Sequence, residues 1–127
     1  MRRSISCFVI TCNEVDRIEQ CLQSVAGWVD ELLVIDSGST DGTLEIARRY
    51  TDRIFETDWP GFGPQRNRAL NWCTHDWVLS LDADEVVTEA LRKEVDKVLS
   101  EPDLKDNFLK FPWHTYLFGT PLKHGRY

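Results

Sequence analysis

Three acids fall within four consecutive residues, Asp82-Ala83-Asp84-Glu85. Carboxylates this close repel one another, which costs stability unless a cation or strong hydrogen-bond donors compensate. A solvated loop would dilute that repulsion, but a metal site is the sharper reading. Oxygen donors with no His or Cys among them suit hard cations, Mg²⁺ or Mn²⁺. Mg²⁺ is commonly held by one or two carboxylates together with substrate phosphates, and this count matches. The sign of the charge matters as well: a diphosphate would be repelled by these acids unless a divalent ion lay between. Asp36 is a second candidate, an acid closing an apolar run, whereas Asp41 reads as a cap for the helix that follows it. Arg66 stands near the start of a helix, where a cation is mildly unfavourable to the helix dipole. An Arg–phosphate or Arg–base contact and a solvent-facing Arg beside Gln65 and Arg68 are both open there.

Apolar periodicity shows which elements carry these residues. Ser4–Thr11 is a compact run of β-formers and reads as a buried strand. Asn13 reads as an N-cap for a helix with Val15, Ile18, Cys21, Leu22 and Val25 at helical spacing. Glu31–Asp36 is a second strand, Thr43–Tyr50 a short helix and Arg53–Glu56 a third, short strand. Asp58–Gly63 is a loop by its proline and glycines. Pro64 suits the first position of a helix running to about Cys73. Trp77–Leu81 is a fourth strand that runs into the acidic turn. Thr88 caps a helix with the stripe Leu91, Val95, Val98 and Leu99, supported by a Glu89–Lys93 pair. Asn107–Phe118 is strand-like and aromatic, interrupted by Pro112.

This alternation implies βαβ units, hence an α/β fold with a mainly parallel sheet flanked by helices. Ligands of open α/β sheets bind beyond the carboxyl ends of the strands. That rule selects Thr11–Glu14, Asp36–Asp41 and Asp82–Glu85. Asp36, Asp82 and Asp84 are therefore expected on one edge of the sheet. His75, His114 and His124 lie away from these positions and read as surface or packing residues.

The 127 residues carry 15 Lys+Arg against 21 Asp+Glu, a net charge of -6, which argues against a nucleic-acid binder. The charge is uneven. Residues 1–104 hold 11 basic and 20 acidic residues, while 105–127 hold four basic residues and Asp106 alone. The four cysteines form no C-x-x-C pair and no zinc spacing, which reads as a reducing, cytoplasmic chain. No secretory signal and no apolar run long enough for a membrane helix is visible. There is no G-x-x-x-x-G-K-[ST], G-x-G-x-x-G or G-x-S-x-G motif. Kinase, NTPase, dinucleotide oxidoreductase and α/β-hydrolase readings are correspondingly weak.

The ordered set of motifs resembles glycosyltransferase family 2, with its GT-A fold. The stretches that carry the resemblance are Thr11-Cys12-Asn13-Glu14, the run Asp30–Thr43 (DELLVIDSGSTDGT), Gln65–Ala69 (QRNRA) and Trp77–Glu85 (WVLSLDADE). They span residues 4 to about 100 in the family's order. The wording is similar to that of the bacterial lipopolysaccharide-core glucosyltransferase type.

The resemblance implies that Asp36 hydrogen-bonds the base of a nucleotide, usually uracil, and that Thr11 and Asn13 line the base pocket, with Glu14 beside them. It implies a nucleotide contact for Arg66. Asp82 would face ribose and metal, Asp84 would be a direct ligand of Mg²⁺ or Mn²⁺, and Glu85 would approach the donor sugar. Cys12 departs from the family pattern, since many members carry there an aromatic that stacks on the base.

The implied reaction is inverting transfer of a sugar from a nucleotide-diphospho-sugar, usually a UDP-sugar, to the hydroxyl of a saccharide or lipid-linked saccharide acceptor. The family pattern continues past Tyr127. Residues 1–104 are thus expected to be the donor-binding half of a GT-A domain, with 105–127 beginning the acceptor side and the general base beyond Tyr127. For Phe108–Tyr127 two readings stand. One is an acceptor-side or membrane-surface patch at the cytoplasmic face of the inner membrane. The other is a core strand and hairpin. An unfinished sheet with an aromatic edge also leaves pairing with a second copy open. A nucleotide-sugar-binding module without catalysis is the alternative to an enzyme.

Overall fold

Seven consecutive residues, Ile5–Thr11, are all buried and form β1. Side chains alternate across a strand, so this run is apolar on both sides and belongs in the middle of a covered sheet. The structure is a computed structural model and describes residues 2–111 and 115–119. Pro112, His114, His124 and the rest of 120–127, which figure in the readings above, lie outside the described residues.

Along the chain follow α1 (Ile18–Gln23), β2 (Glu31–Asp36), α2 (Thr43–Ala47), β3 (Arg53–Glu56) and α3 (Phe62–Trp72). Then come β4 (Trp77–Asp82), α4 (Glu89–Leu99), β5 (Phe108–Lys110) and β6 (Tyr116–Phe118). The six strands form one sheet in the order β3-β2-β1-β4-β6-β5. The first four are mutually parallel, β6 runs antiparallel to β4, and β5 antiparallel to β6. The chain builds outward from β1 to β3, then crosses back through α3 to place β4 on the other side of β1. That reversal is a topological switch point, where α/β sheets open a crevice for ligands.

The alternation of β1 sorts the core into two layers. Cys7 and Val9 face a cluster with Val34, Leu79 and Leu81 of the sheet, covered by Ile18, Cys21 and Leu22 of α1 and Leu91, Val95 and Leu99 of α4. Phe8 and Ile10 face the other cluster, with Leu33, Ile35, Val78 and Phe118, covered by Ala69 and Leu70 of α3. Among the described residues no helix is long and apolar enough to cross a membrane.

The element ends depart from the sequence expectation in instructive ways. Asn13 does not cap a helix; it has φ 51° and α1 starts only at Ile18. The amides after β1 find partners on the β2–α2 loop instead. Asn13 N–H donates to Ser39 Oγ (2.8 Å), Glu14 N–H to Thr43 Oγ1 (3.0 Å) and Val15 N–H to Asp41 Oδ2 (3.2 Å). In return Thr40 N–H donates to Asn13 Oδ1 at 2.8 Å. The N-cap of α2 is Gly42 rather than Asp41, but Asp41, one residue earlier, accepts from Thr43 N–H at 3.1 Å and so still holds the start of the helix. Helix α3 starts at Phe62, so Pro64 is its third residue, where an N–H would have no intrahelical partner in any case. Thr88 caps α4 as expected, accepting from Leu91 N–H at 3.1 Å. The aromatic stretch folds as two short strands, Phe108–Lys110 and Tyr116–Phe118; the interruption expected at Pro112 lies outside the described residues.

Candidate nucleotide site

Parallel registration aligns the acids. Thr11 pairs with Asp36 on one side of β1, and Ile10 pairs with Asp82 on the other. Three strand ends thus lie side by side on one rim, with Asp36 and Asp82 two strand spacings apart, about 10 Å. The expected clustering of acids at one edge is present.

A cavity of about 530 Å³ opens on this rim, within the range of roughly 300–1,000 Å³ usual for ligand pockets. Ile10, Thr11 and Cys12 of β1 and its turn form one part of its wall, with Glu14 close by and Ser37 from the end of β2. Asp82, Ala83 and Asp84 line it from β4. Trp59 and Phe62 line it from the β3–α3 loop and the start of α3. Thr11, Glu14, Asp82 and Asp84 are therefore brought together as the sequence implied.

The other named residues stand behind the wall. Asp36 is fully buried. Its Oδ2 accepts from Gly38 N–H (3.0 Å) and Ser39 N–H (2.8 Å), and its Oδ1 from Ser39 Oγ–H. Its carboxylate shapes the turn that presents Ser37. Asn13 is spent on the brace to Ser39 and Thr40. Glu85 Oε1 accepts from Asp82 N–H at 2.8 Å, folding the acidic turn on itself. Arg66, the fifth residue of α3, lies with its guanidinium 5.6 Å from the Phe62 ring and 5.9 Å from that of Tyr116.

Burial raises the pKa of Asp82; the positive charge of Arg66 opposes this and the charge of Asp84 adds to it. Glu85 is raised by burial too, with its hydrogen bond from Asp82 N–H opposing and the charges of Asp82 and Asp84 adding. Beneath the turn, the Cys21 thiol is pushed up to about 12 by burial and then by Glu85, Asp84 and Asp82. It stays a neutral donor to the Asp82 carbonyl, at 3.6 Å.

Buried polar side-chain atoms without a hydrogen-bond partner cost about 1–3 kcal/mol each and call for an explanation. Among the described residues these atoms are Thr11 Oγ1, Glu14 Oε2, Gln65 Oε1, Arg66 Nε and Asn67 Oδ1. Glu14 Oε2 still has the charge of Arg17 Nε at 2.8 Å. All five belong to the end of β1, the turn after it, or α3. Of these residues Thr11 and Glu14 line the cavity, where a polar ligand would supply the missing partners.

The acids also fit a hard cation. Asp84 is exposed at the cavity, and neither it nor Asp82 is ion-paired among the described residues. No group of three or more His, Cys, Asp or Glu side chains placed to hold a metal occurs among the described residues. Two carboxylates with a phosphate ligand completing the shell match the habit of Mg²⁺. Sequence reading passed over Trp59, Phe62 and Ser37. The first two carried a signal, since large aromatics in a Pro/Gly loop have no core to fill.

A doubly covered, mostly parallel sheet with a switch-point cavity and an Asp-x-Asp turn defines a GT-A-like α/β domain. Residues 6–124 match the family model described as glycosyl transferase family 2, and the chain belongs to that family. It is 36% identical over 107 residues to an uncharacterized glycosyltransferase of Rickettsia felis, covering 84% of this chain and 38% of that protein. It is 34% identical over 104 residues to the lipopolysaccharide core biosynthesis glycosyltransferase LpsC of Rhizobium meliloti, covering 78% of this chain and 38% of that protein. The chain thus spans less than half the length of these curated relatives. Among solved structures it is similar to the mannosyltransferase PcManGT from Pyrobaculum calidifontis in complex with GDP-Man and Mn²⁺. That likeness has TM-score 0.78 at 23% identity and covers all of this chain and 48% of that one. It is also similar to glucosyl-3-phosphoglycerate synthase from Mycobacterium tuberculosis in complex with Mg²⁺ and UDP, with TM-score 0.64 at 30% identity, covering 79% of this chain and 41% of that one.

Proposed function

We propose that residues 1–104 bind a nucleotide-diphospho-sugar, in the first instance a UDP-sugar, for transfer to an acceptor hydroxyl, and that residues 105–127 begin the acceptor side. The observation that carries this is the cavity where the partnerless Thr11 Oγ1 of β1 meets the carboxylates of Asp82 and Asp84, unpaired among the described residues. The relatives solved with GDP-Man and Mn²⁺ or with UDP and Mg²⁺ support it.

In this reading Thr11 offers its free hydroxyl to the nucleoside, and Asp36 holds the turn that puts Ser37 beside it. Asp82 and Asp84 hold Mg²⁺ or Mn²⁺. When bound, the cation supplies neutralisation of charge on the departing diphosphate. Arg66 adds positive potential near Asp82, and the walls fix the donor so that its anomeric carbon faces the acceptor. Transfer proceeds with inversion, and the general base that takes the acceptor proton is assigned to none of the described residues. Similarity to LpsC favours an acceptor in lipopolysaccharide or other envelope saccharide synthesis. The second reading is a nucleotide-sugar-binding module without turnover.

Calorimetry with a panel of UDP- and GDP-sugars, with and without Mn²⁺, tests the site. Asp84→Ala should abolish the metal-dependent part of binding, and unchanged binding in that variant would sink the assignment. Donor hydrolysis or sugar transfer separates the two readings. Metal-dependent binding with no turnover on any acceptor would favour the module.

A further inference from the structure

Arg66 is a cation close to acids that pairs with none of them. Among the described residues it makes no ion pair, and its Nε is buried without a hydrogen-bond partner. What holds it instead is aromatic. Its guanidinium lies 5.6 Å from the ring centroid of Phe62 and 5.9 Å from that of Tyr116. Phe62 is itself backed by Trp59, edge to face at 4.9 Å and 89°. Lys110, also without an ion pair among the described residues, reaches the same Tyr116 ring at 5.8 Å. Ring contacts of this kind attract a cation without neutralising its charge.

Strand register places this cluster beside the acidic turn. Tyr116 of β6 pairs with Ser80 of β4. Ser80 and Asp82 are two residues apart on one strand, so they share a face of the sheet. Tyr116 packs on the face covered by α3, the helix that carries Phe62 and Arg66. The charge of Arg66 accordingly acts on both Asp82 and Glu85. Phe62 and Asp82 both line the cavity. With Asp82 and Asp84 committed to a divalent ion, the charge of Arg66 is left uncompensated. A phosphate oxygen supplies the missing negative charge, and the N–H edge of a guanidinium matches its geometry.

We infer that Tyr116, with Phe62, holds the Arg66 guanidinium toward the acid rim as a second positive charge for the phosphates of the ligand. The inference rests on the donor-site reading and deepens it. Tyr116 and Phe62 are positioning residues that act through Arg66. Phe62 is 56% exposed yet fixed from two sides, by Trp59 and by Arg66, which suits a brace rather than a core side chain. Strand β6 thereby belongs to the donor site: added antiparallel to β4, it supplies the ring that steadies the site's arginine.

The test is titration calorimetry of UDP and of inorganic pyrophosphate, each with Mn²⁺. The proteins compared are wild type, Arg66→Ala, Tyr116→Phe, Tyr116→Leu and Phe62→Leu, and the two leucine variants again in the Arg66→Ala background. Arg66→Ala should weaken both ligands by about ten-fold or more, as the loss of a charged hydrogen bond does. Tyr116→Phe keeps the ring and should bind as wild type does. Tyr116→Leu and Phe62→Leu should each weaken both ligands by roughly three-fold or more, and neither should add to the loss already present in Arg66→Ala. Phe62→Leu alters an exposed ring, so it reads out the clamp even where Tyr116→Leu fails to fold. Unchanged pyrophosphate affinity in Arg66→Ala overturns the inference, since the arginine would then serve no phosphate. So does a leucine-variant loss that persists in full in the Arg66→Ala background, which would make the rings general supports of the site. Wild-type protein that binds pyrophosphate but not UDP would instead remove the donor-site reading and leave the phosphate contact standing. Binding of neither ligand overturns both.

Discussion

The side chain of Glu85 closes a ring with the backbone of Asp82: Oε1 accepts from Asp82 N–H at 2.8 Å while Glu85 N–H donates to the Asp82 carbonyl at 3.0 Å. The third acid of the turn therefore orients the first rather than reaching into the cavity. Removing it should loosen the turn. Glu85→Ala is expected to cost about 1–3 kcal/mol in denaturant unfolding, and Glu85→Gln much less, because the amide oxygen still accepts. An alanine variant as stable as wild type would show the ring to be idle.

Thr11 Oγ1 is buried without a partner, so the free protein should not miss it. Thr11→Val keeps the shape and removes the orphaned group. Its melting temperature without ligand should equal or exceed that of wild type, since an unsatisfied buried hydroxyl is a cost. The rise in melting temperature on adding UDP and Mn²⁺ should shrink. A smaller rise with an unchanged ligand-free value is the signature of a hydroxyl reserved for ligand.

Asp36 accepts from two backbone amides and one hydroxyl. Asn in its place has one acceptor oxygen and must turn an NH₂ toward a donor. Asp36→Asn should lower stability by about 1–3 kcal/mol and weaken nucleotide binding together with it. Unchanged stability with lost binding would instead mean that the carboxylate meets the ligand directly.

Glu31 gathers the other edge of the sheet. Burial raises its pKa, but Thr74 N–H, the Ser6 and Thr74 hydroxyls and the charge of Arg53 outweigh that and hold it below the ordinary glutamate value of 4.5. A depressed folded-state pKa stabilises above the unfolded value and is lost as pH falls through the folded one. Glu31→Gln should therefore be less stable than wild type at pH 7, by about 1–3 kcal/mol. The gap should narrow as pH drops below about 4.5. Chemical denaturation of both proteins across pH 3–7 measures it, and a constant gap would mean that the carboxylate's charge is immaterial.

Gly119 follows β6 and leaves no room for a methyl group. A Cβ there would lie 2.7 Å from the Trp77 ring, in a buried setting where the indole cannot swing away. Gly119→Ala should cost about 1–3 kcal/mol by overpacking. Pairing Gly119→Ala with Trp77→Leu should restore part of that loss in thermal melts.

The parallel core was legible because each strand is an apolar run with an acid or a turn at its end. Burial on both faces leaves β1 no alternative to the centre, and Asp36 and Asp82 then follow to one rim. The positions that misled are those governed by distant partners. Asn13 has the right type and place for a cap, but the atoms that engage it belong to Ser39 and Thr40, on another loop. Asp36 was legible as a rim acid, not as the acceptor of its own turn. Trp59 and Phe62 were visible as loop aromatics, but their aim into the cavity depends on where α3 crosses the sheet.

The cross-bracing of the β1–α1 and β2–α2 loops has a consequence for inheritance and engineering. Residues 13–15 and 39–43 satisfy each other's donors and acceptors, so neither loop can be rewritten without the other. Residues 57–61, which carry Trp59, stand outside that mutual dependence. A chimera would have to transplant the first two loops as a pair, while the aromatic loop would travel with α3, to which the Asp58–Arg68 ion pair and the Gln65–Thr57 hydrogen bond tie it.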